Sequence, residues 1–359
     1  MKIVFVNDSI YAYALGTPVG GAERQQWLLA RALAAAGWSV TVGVRKALDA
    51  GAHRALDGVE CVGIGRGQIF SAWYRLLSSE RPDWWYWRCA DHLWGPAVEI
   101  AKLTAVRTIF AAAFDSDVQP RHALFRRPRW WPLFAWGLAR TDRIFVQHSR
   151  QFSKLALPWQ SKAYIVPSLA GETTIVKPHS ERKKSVAWVA MLQQSKRPDL
   201  LVEIAQRTPH IRFIVCGGLS SHRSPPGYSE RIVDALRALP NIEYRGLVAP
   251  DHAQQVIADA AILLSTSDGE GFPNTFLEAW LSGTPVVSLK IDPDCIIERA
   301  GLGVVSGSME NTIANINVLM DSPQQREEIA ARARQYIAEA HSEAAVITAF
   351  ECAIRGGRT

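Results

Sequence analysis

Short apolar runs alternate with segments of helical periodicity along almost the whole chain. The run KIVFV is followed by a loop and then by GAERQQWLLARALAAAG, in which Trp27, Leu28 and Leu33 share one helical face. SVTVGV and further apolar runs follow, up to KAYIVP before residue 168. This alternation predicts an α/β protein in which a parallel sheet is wrapped by helices.

The same alternation starts again after a polar stretch. Residues 167–185, PSLAGETTIVKPHSERKKS, are rich in Pro, Ser, Thr and charge, as expected for a linker. We therefore predict two Rossmann-like, doubly wound parallel-sheet domains, residues 1–168 and 169–340, that face a central cleft. The last helical pattern is interrupted near 338–342, and residues 341–359 are predicted to cross back to the first domain.

Length, charge and cysteine content narrow the class of protein. A chain of 359 residues suits two domains of ordinary size. A formal net charge of +6 fits an anionic small ligand or a membrane surface, and no nucleic-acid-binding pattern is found. Five cysteines without a C-x-x-C motif indicate a reduced, cytoplasmic compartment.

The stretch SDGEGFPNTFLEAWLSGTPVV, residues 267–287, places two glutamates around a predicted helix start. Asn274 is the predicted N-cap and Gly283 the stop. The amide groups and positive dipole end of a helix bind phosphate, whereas Glu270 and Glu278 suit the hydroxyl groups of sugars. The pattern indicates a ligand with hydroxyls on both sides of a phosphate. The alternative is a solvated loop glutamate and a helix glutamate that only favours the dipole.

Three segments together resemble the retaining GT-B glycosyltransferases of family 4, or group 1 glycosyl transferases. GEGFPNTFLEAWLSGTPVVS resembles their E-x7-E donor segment, SKRPDLLVEIA (195–205) their basic phosphate segment, and GGAER (20–24) their first glycine loop. The resemblance covers most of the chain. It implies a GT-B fold, with a nucleotide-sugar donor held mainly by the second domain and an acceptor held mainly by the first.

The resemblance also implies roles for single residues. Glu270 would contact the donor sugar, Glu278 the ribose, and Lys196 the leaving pyrophosphate, where positive charge stabilises the transition state. The other donor-side residues implied are Gly271, Phe272, Pro273, Asn274, Thr275, Arg197, Arg245, Gly246 and Gly217. Lys196 and Arg197 could instead be a solvated basic pair.

Two positions depart from the family pattern. Met191 stands where the family commonly has an arginine, so that Arg197 or another cation would have to cover the pyrophosphate. In FAAAFDSDVQPRH (110–122), the usual histidine is absent; Asp115 or Asp117 would take its role, and His122 is a poorer candidate. The resemblance implies no bound metal.

Two further segments of the first domain have predicted roles. Gly20 and Gly21, with the loop from Asp8, are predicted to shape the acceptor side of the cleft. Residues 121–140, RHALFRRPRWWPLFAWGLAR, combine five arginines with three tryptophans and two phenylalanines, a composition that suits a membrane headgroup zone. The alternative is that the aromatic residues pack a helix while the arginines are solvated or face an anionic acceptor.

The sequence thus predicts a retaining, metal-independent, hexosyltransferase-like enzyme. It would move a sugar from a UDP- or GDP-linked donor, without a bound cofactor, to a glycan or lipid-linked acceptor in bacterial surface glycan synthesis. We expect it in the cytoplasm, with peripheral contact to the inner face of the membrane as a further prediction. The alternatives are a catalytically degenerate nucleotide-binding protein and a GT-B isomerase or phosphorylase.

Overall fold

The structure is a computed structural model that describes residues 1–124, 127–173, 175–220 and 224–357. Two compact units are formed by these residues. The first contains Met1–Leu169 and the C-terminal segment from Glu343, and the second contains Ala170–Ser342.

The first unit is built on an eight-stranded sheet of order β3-β4-β2-β1-β5-β6-β7-β8, in which only the β3–β4 pairing is antiparallel. Its strands are β1 Lys2–Val6, β2 Ser39–Val44, β3 His53–Leu56, β4 Val59–Gly63, β5 Trp84–Arg88, β6 Arg107–Ala111, β7 Arg143–Val146 and β8 Ala163–Ile165. Its helices up to residue 169 are α1 Asp8–Ala14, α2 Gly21–Ala35, α3 Ile69–Glu80, α4 Trp94–Leu103, α5 Pro120–Ala123, α6 Trp131–Arg140, α7 Ser149–Lys154 and α8 Leu157–Gln160. Helices cover both faces: α1 and α2 pack on one, and α3, α4 and α6 on the other.

The second unit is built on a six-stranded, fully parallel sheet of order β11-β10-β9-β12-β13-β14. Its strands are β9 Lys183–Val189, β10 Arg212–Cys216, β11 Ile242–Gly246, β12 Ala260–Ser265, β13 Val286–Ser288 and β14 Gly303–Val305. Its helices are α9 Pro198–Arg207, α10 Tyr228–Arg237, α11 Pro250–Asp259, α12 Asn274–Leu281, α13 Ile296–Ala300, α14 Met309–Asp321 and α15 Pro323–Ala340. Helices α9, α10 and α14 cover one face, and α11, α12, α13 and α15 the other.

The chain leaves the second unit at a break between two helices. Helix α15 ends at Ala340, and the last helix, α16, spans Glu343–Arg355 and packs against the first unit through Phe350 and its neighbours. The carbonyl of His341, inside the break, accepts a hydrogen bond from the amide of Ala170, where the chain enters the second unit. In the described ranges, no helix is both long and apolar enough to cross a membrane.

The predicted fold class is confirmed, with local corrections. The stretch between Asp8 and Gly21 was expected to be a loop, but it contains α1, whose N-cap Asn7 accepts a hydrogen bond from the amide of Ser9. The β3–β4 hairpin was not predicted, although its Asp57-Gly58 turn has positive φ at both residues, a known hairpin signal. Strand β14 has only three residues, too few for a recognisable pattern.

Candidate functional site

The strand order of the second sheet creates a topological switch point between β9 and β12. From these two central strands the chain builds outwards in opposite directions, to β10 and β11 on one side and to β13 and β14 on the other. The loops at the carboxyl ends of the two strands therefore diverge and leave a crevice, which is where open α/β sheets bind ligands. These loops are residues 190–197 and 266–273.

The two loops are joined by hydrogen bonds. The amide of Asp268 donates to the carbonyl of Ser195 at 2.9 Å, and the hydroxyl of Thr266 donates to the carbonyl of Lys196 at 2.7 Å. Thr266 is itself held by the indole N–H of Trp188, on β9, at 3.0 Å. The backbone on both sides of the switch point is thereby fixed.

Lys196 and Glu270 meet across the switch point as an ion pair. Both side chains are largely buried, with 18% and 13% of their surface exposed. The residues predicted for the phosphate and for the sugar thus lie side by side. A cation and a carboxylate so placed can serve a ligand that presents an anionic group next to hydroxyls.

Helix α12 begins beside this pair, one residue earlier than predicted. Pro273 occupies the N-cap position and Asn274 is the first helical residue, so the expected N-cap role of Asn274 is wrong. The fixed φ of proline, here −65°, suits the entry to a helix, and the carbonyl of Pro273 accepts the amide of Phe276 at 3.1 Å. The first amides of this helix lack intrahelical acceptors and carry the positive end of its dipole.

The residues around the helix start are mostly buried. Gly271, Phe272 and Pro273 are buried, and the ring of Phe272 packs against Trp280 and His341, with centroids 6.2 and 5.0 Å away. Thr275 and Glu278 are partly buried, with Glu278 in the second turn of α12. Because the side chains of 271–273 are buried, it is the backbone of this stretch that could line a ligand.

The opposite end of α12 is fixed by buried polar groups that the sequence did not reveal. The guanidinium of Arg182 donates to the carbonyl of Ser282 and to the hydroxyl of Thr284, both at 2.6 Å. The ring of His179 is 2.9 Å from the carbonyl of Gly283 through Nε2, and its Nδ1 accepts from Arg326. Burial, followed by the charge of Arg182, lowers the pKa of His179 to about 4.

Arg197 is held by two carboxylates. Its backbone is left-handed, with φ of 51°, at the start of α9. Its Nε and Nη2 donate to Asp199, and its Nη1 lies 3.1 Å from Asp268. The carboxylate of Asp268 also pairs with the ammonium of Lys290, with 2.7 Å between Oδ1 and Nζ. Burial would raise the pKa of Asp268, but the hydrogen bonds from Lys290 and Arg197 outweigh it and lower that pKa.

The predicted base-side residues lie further along the sheet edge, on β10 and β11. Arg245 pairs with Glu243 at 2.7 Å, and the carbonyl of Gly246 accepts the amide of Gly217 at 2.8 Å. A Cβ at Gly217 would lie 2.0 Å from the carbonyl oxygen of Ala190, so this glycine permits close approach of two loops. Among the described residues, no contact joins Arg245 to the Lys196–Glu270 pair.

Met191, where the family arginine is missing, is 37% exposed at the same edge. Its Cε would lie 3.3 Å from a Cβ at Gly218. A thioether provides no positive charge at this position, so any second phosphate cation has to come from another residue.

In the first unit, the two aspartates predicted as alternatives have different surroundings. The carboxylate of Asp117 accepts the amides of Ala113 and Phe114 at 2.8 and 3.0 Å, and its side chain is buried. It stabilises the turn after β6, which removes Asp117 from the candidate catalytic residues. The other candidate, Asp115, is partly exposed, whereas His122 is exposed.

Asp115 is the centre of a small charged cluster at the carboxyl edge of the first sheet. Its carboxylate contacts Lys154 at 2.6 Å, the buried His148 at 3.2 Å and Gln151 at 3.3 Å. Burial opposes ionisation of Asp115, but hydrogen bonds from His148 and Lys154 lower its pKa overall. Among the described residues, no group of three or more His, Cys, Asp and Glu side chains is arranged to hold a metal ion.

Buried amides, which the sequence analysis missed, line a small cavity next to this cluster. Gln25 of α2 donates to and accepts from the backbone of Leu169, at 2.7 and 2.9 Å. Gln147 donates to Ser168 at 2.8 Å and lies in the same cavity wall as Arg88. Gly20 and Gly21, predicted to shape the acceptor side, are exposed at the start of α2.

The basic and aromatic segment 121–140 divides into a packed and an exposed part. Phe134 is buried in the core of the first unit, whereas Trp130 and Trp136 are each 51% exposed. Arg140 lies over the ring of Trp136, 5.1 Å from its centroid. Residues 125 and 126 lie outside the described residues.

Part of the chain is similar in sequence to known glycosyltransferases. A family model described as "Glycosyl transferases group 1" matches residues 183–322, within the second unit. D-inositol 3-phosphate glycosyltransferase of Corynebacterium aurimucosum is 29% identical over 152 residues, which are 40% of this chain and 36% of that protein. The chain therefore matches little more than a third of this curated relative's length.

Two solved structures match nearly the whole chain. Sucrose-phosphate synthase from Thermosynechococcus elongatus gives a TM-score of 0.77 at 14% identity, covering 99% of this chain and 98% of that one. Anabaena HepE in complex with UDP-glucose gives 0.73 at 16% identity, with the same coverage. The fold is that of the GT-B glycosyltransferases. Within this GT-B fold, the group 1 match covers the sheet whose switch point carries Lys196 and Glu270.

Proposed function

We propose that the chain is a retaining, metal-independent glycosyltransferase that moves a sugar from a nucleoside diphosphate sugar to an acceptor hydroxyl. The observation that carries the proposal is the Lys196–Glu270 pair, which lies at the switch point beside the start of α12. UDP- and GDP-linked sugars are the proposed donors. They serve as co-substrates, with no resident cofactor.

The ion pair explains how one site can serve both parts of such a donor. Without ligand, Lys196 and Glu270 neutralise each other. A bound donor would give Lys196 a phosphate oxygen and Glu270 a sugar hydroxyl, so that each side chain keeps a charge-assisted hydrogen bond. The exchange places positive charge at the leaving group and an acceptor of hydrogen bonds at the sugar.

The chemistry follows from where charge develops. As the bond to the anomeric carbon breaks, negative charge grows on the diphosphate, where Lys196 and the dipole of α12 stabilise it more than in the ground state. The departing phosphate takes the proton of the acceptor hydroxyl, so no protein base is required. Glu278 is proposed for the ribose and Arg245 and Gly246 for the base.

For the acceptor we propose the first unit. Its sheet edge carries the Asp115 cluster, which is partly exposed and can hydrogen-bond the hydroxyls of a glycan. The exposed Trp130, Trp136 and nearby arginines support a lipid-linked acceptor, reached from the cytoplasmic face of a membrane.

The membrane part can be tested separately. Vesicles with anionic lipids should sediment the protein, and Trp130→Ala should weaken this binding severalfold. Tyr74→Ala, which removes a similarly exposed aromatic ring of the first unit, should not. Equal binding of both variants would count against membrane contact through 121–140.

The experiment that tests the function is a donor screen. Purified protein is titrated with UDP, GDP and ADP, and then incubated with their sugars and candidate acceptors, while released nucleoside diphosphate and product configuration are measured. We expect one nucleotide to bind and its sugar to be transferred with the anomeric configuration retained. Absence of binding to all three, or a nucleotide located away from α12 in a liganded crystal, would overturn the proposal.

A nucleotide-binding protein without turnover is the second candidate. It is favoured by Met191 at the arginine position and by the carboxylate partners that Lys196, Arg197 and Lys290 already have. Single-turnover measurements with enzyme in excess separate the two functions, because the second candidate binds the donor and releases it intact.

A further inference from the structure

We propose that Lys290 is a second diphosphate-binding residue, and that Asp268 is the counter-ion it leaves when the donor binds. The inference rests on the proposed function, since it assigns a residue to the diphosphate of the same donor. Lys290 would supply the positive charge that Met191, at the family's arginine position, does not provide.

Lys290 lies next to the switch point because of the strand order. The three strands β9, β12 and β13 are neighbours, so the loops at their carboxyl ends lie side by side. Lys290 follows β13 by two residues, and its ammonium reaches Asp268 in the middle loop at 2.7 Å. The amide of Asp268 is bonded to Ser195 in the third loop. Lys290 is thus tied to the loop that also carries Glu270.

The charges of these loops indicate that one cation is too few. Lys196, Arg197 and Lys290 are paired with Glu270, Asp199 and Asp268, so these six side chains are neutral as a group. A diphosphate brings at least two negative charges. Lys196 offsets one of them once Glu270 turns to the sugar, and a second cation has to be released from its carboxylate.

Arg197 is the less suitable of the two remaining cations. Its Nε, Nη1 and Nη2 all donate to carboxylates, two of them to Asp199, and its backbone is fixed in the left-handed region. The hydroxyl of Tyr228 further holds Asp199, at 3.0 Å. Moving Arg197 would break this whole arrangement, so it is assigned to structure.

Lys290 can move at small cost. Its side chain is 49% exposed, and among the described residues its ammonium contacts a single carboxylate. An exposed ion pair of this kind contributes little to stability. When Lys290 leaves, Arg197 remains on Asp268 and keeps that carboxylate compensated. The long, flexible lysine stem can then reach a phosphate oxygen.

The test uses four single variants of the full chain. Lys290→Gln removes the charge, Lys290→Arg keeps it, and Asp268→Asn removes the counter-ion. Lys177→Gln is the matched control, because Lys177 is 42% exposed and also pairs with an aspartate, Asp259. Asp259 lies just before β12, at the amino ends of the strands and therefore away from the proposed site. Calorimetry measures the Kd of the nucleoside diphosphate that the wild type binds, and of the matching nucleoside.

We expect Lys290→Gln to weaken binding of the nucleoside diphosphate roughly five- to twentyfold, and to leave binding of the nucleoside unchanged. Lys290→Arg should restore most of the affinity, and Asp268→Asn should tighten binding severalfold because Lys290 is already released. The dependence of Kd on salt should be less steep in Lys290→Gln.

Three outcomes would contradict the inference, and they differ in whether the proposed function survives. If the wild type binds the nucleoside diphosphate and Lys290→Gln binds it as well as Lys177→Gln does, the role of Lys290 is wrong while the proposed function survives. Weaker binding by Asp268→Asn would contradict the counter-ion role. If the wild type binds no nucleoside diphosphate, both the function and the inference fail.

Discussion

The carboxyl edges of the two sheets are built from different kinds of side chain. In the second unit the edge carries charges, which form short-range ion pairs such as Lys196–Glu270 and Lys290–Asp268. In the first unit it carries the Asp115 cluster together with buried amides, and Gln25 and Gln147 bond to residues 169 and 168, respectively. The charges of the second edge suit the diphosphate proposed for it, whereas the amides of the first edge are already bonded to the protein itself.

The two edges also differ in what their polar groups do for the protein itself. In the second unit, Lys290–Asp268 is half-exposed and Lys196–Glu270 is largely buried, and both lie at the crevice where they can exchange partners with a ligand. The buried amides of the first unit satisfy backbone groups that no water reaches. Substitutions at the first edge should therefore cost stability, and those at the second should cost ligand binding.

The largest effect is expected from Gln25→Ala. It leaves the amide and the carbonyl of Leu169 without their described partner in a buried position, which should lower the free energy of unfolding by about 2–4 kcal/mol. Urea unfolding measures this. Gln26→Ala is the matched control, because Gln26 is equally buried but bonds to Ala22 of its own helix. A loss no larger than the control's would contradict the assigned role of Gln25.

Glu270→Ala should lower catalysis, and it should also lower stability to some extent because Lys196 loses its counter-ion. Loss of charge-assisted hydrogen bonds to the sugar, about 1.5–3 kcal/mol each, lowers kcat/KM roughly ten- to a hundredfold or more. The affinity for the nucleoside diphosphate alone should not fall, since Lys196 is released from its partner. Glu80→Ala, which breaks a lysine–glutamate pair of the first unit, should leave kcat/KM unchanged. Unchanged kinetics of Glu270→Ala would remove this residue from the site.

Lys196→Ala should weaken binding of the nucleoside diphosphate about tenfold, since one charge-assisted contact to phosphate is lost. Calorimetry is the direct measurement, with Lys2→Ala as the control from the pair with Glu80. Equal affinity of Lys196→Ala and wild type would show that the two edges do not differ in the way proposed.

The smallest effect is a dependence of stability on pH, expected at the far end of α12. The folded state keeps His179 neutral, with a pKa of about 4, whereas the unfolded chain binds a proton near the ordinary value of 6.5. Because the unfolded state then binds more protons, stability should fall as pH drops from about 6.5 towards 4. Urea midpoints at pH 7.5 and 5.0 test this, and the decrease should be smaller in His179→Gln. An equal decrease in both proteins would exclude His179 as its source.

What the sequence could predict depended on how local each signal was. Glu270 and the start of α12 lie within a few residues of each other, and the fold class followed from alternation along the chain; both kinds of pattern are local. Lys196 and Glu270 are 74 positions apart, and their meeting follows only from the order β9-β12 in the sheet. The pairing itself could not be read from the sequence.

The first unit shows the limit more clearly. Gln25 and Leu169 are separated by 144 positions, and a single glutamine in a helix carries no pattern. Asp115 and Asp117 could not be told apart, because only their surroundings decide which one serves the backbone and which one meets Lys154. The buried His179 and Arg182 were missed for the same reason, since they lie in a stretch that looks like a linker.

The ring of Phe272 gives the binding loop a connection to a distant part of the chain. It packs on His341, whose carbonyl holds the amide of Ala170, so the points where the polypeptide enters and leaves the second unit share one contact with this loop. A substrate bound to the loop should therefore slow hydrogen exchange at the amide of residue 170 as well as at those of 271 and 272. The amide of Ala170, about a hundred residues upstream, would then report whether a substrate occupies the binding loop.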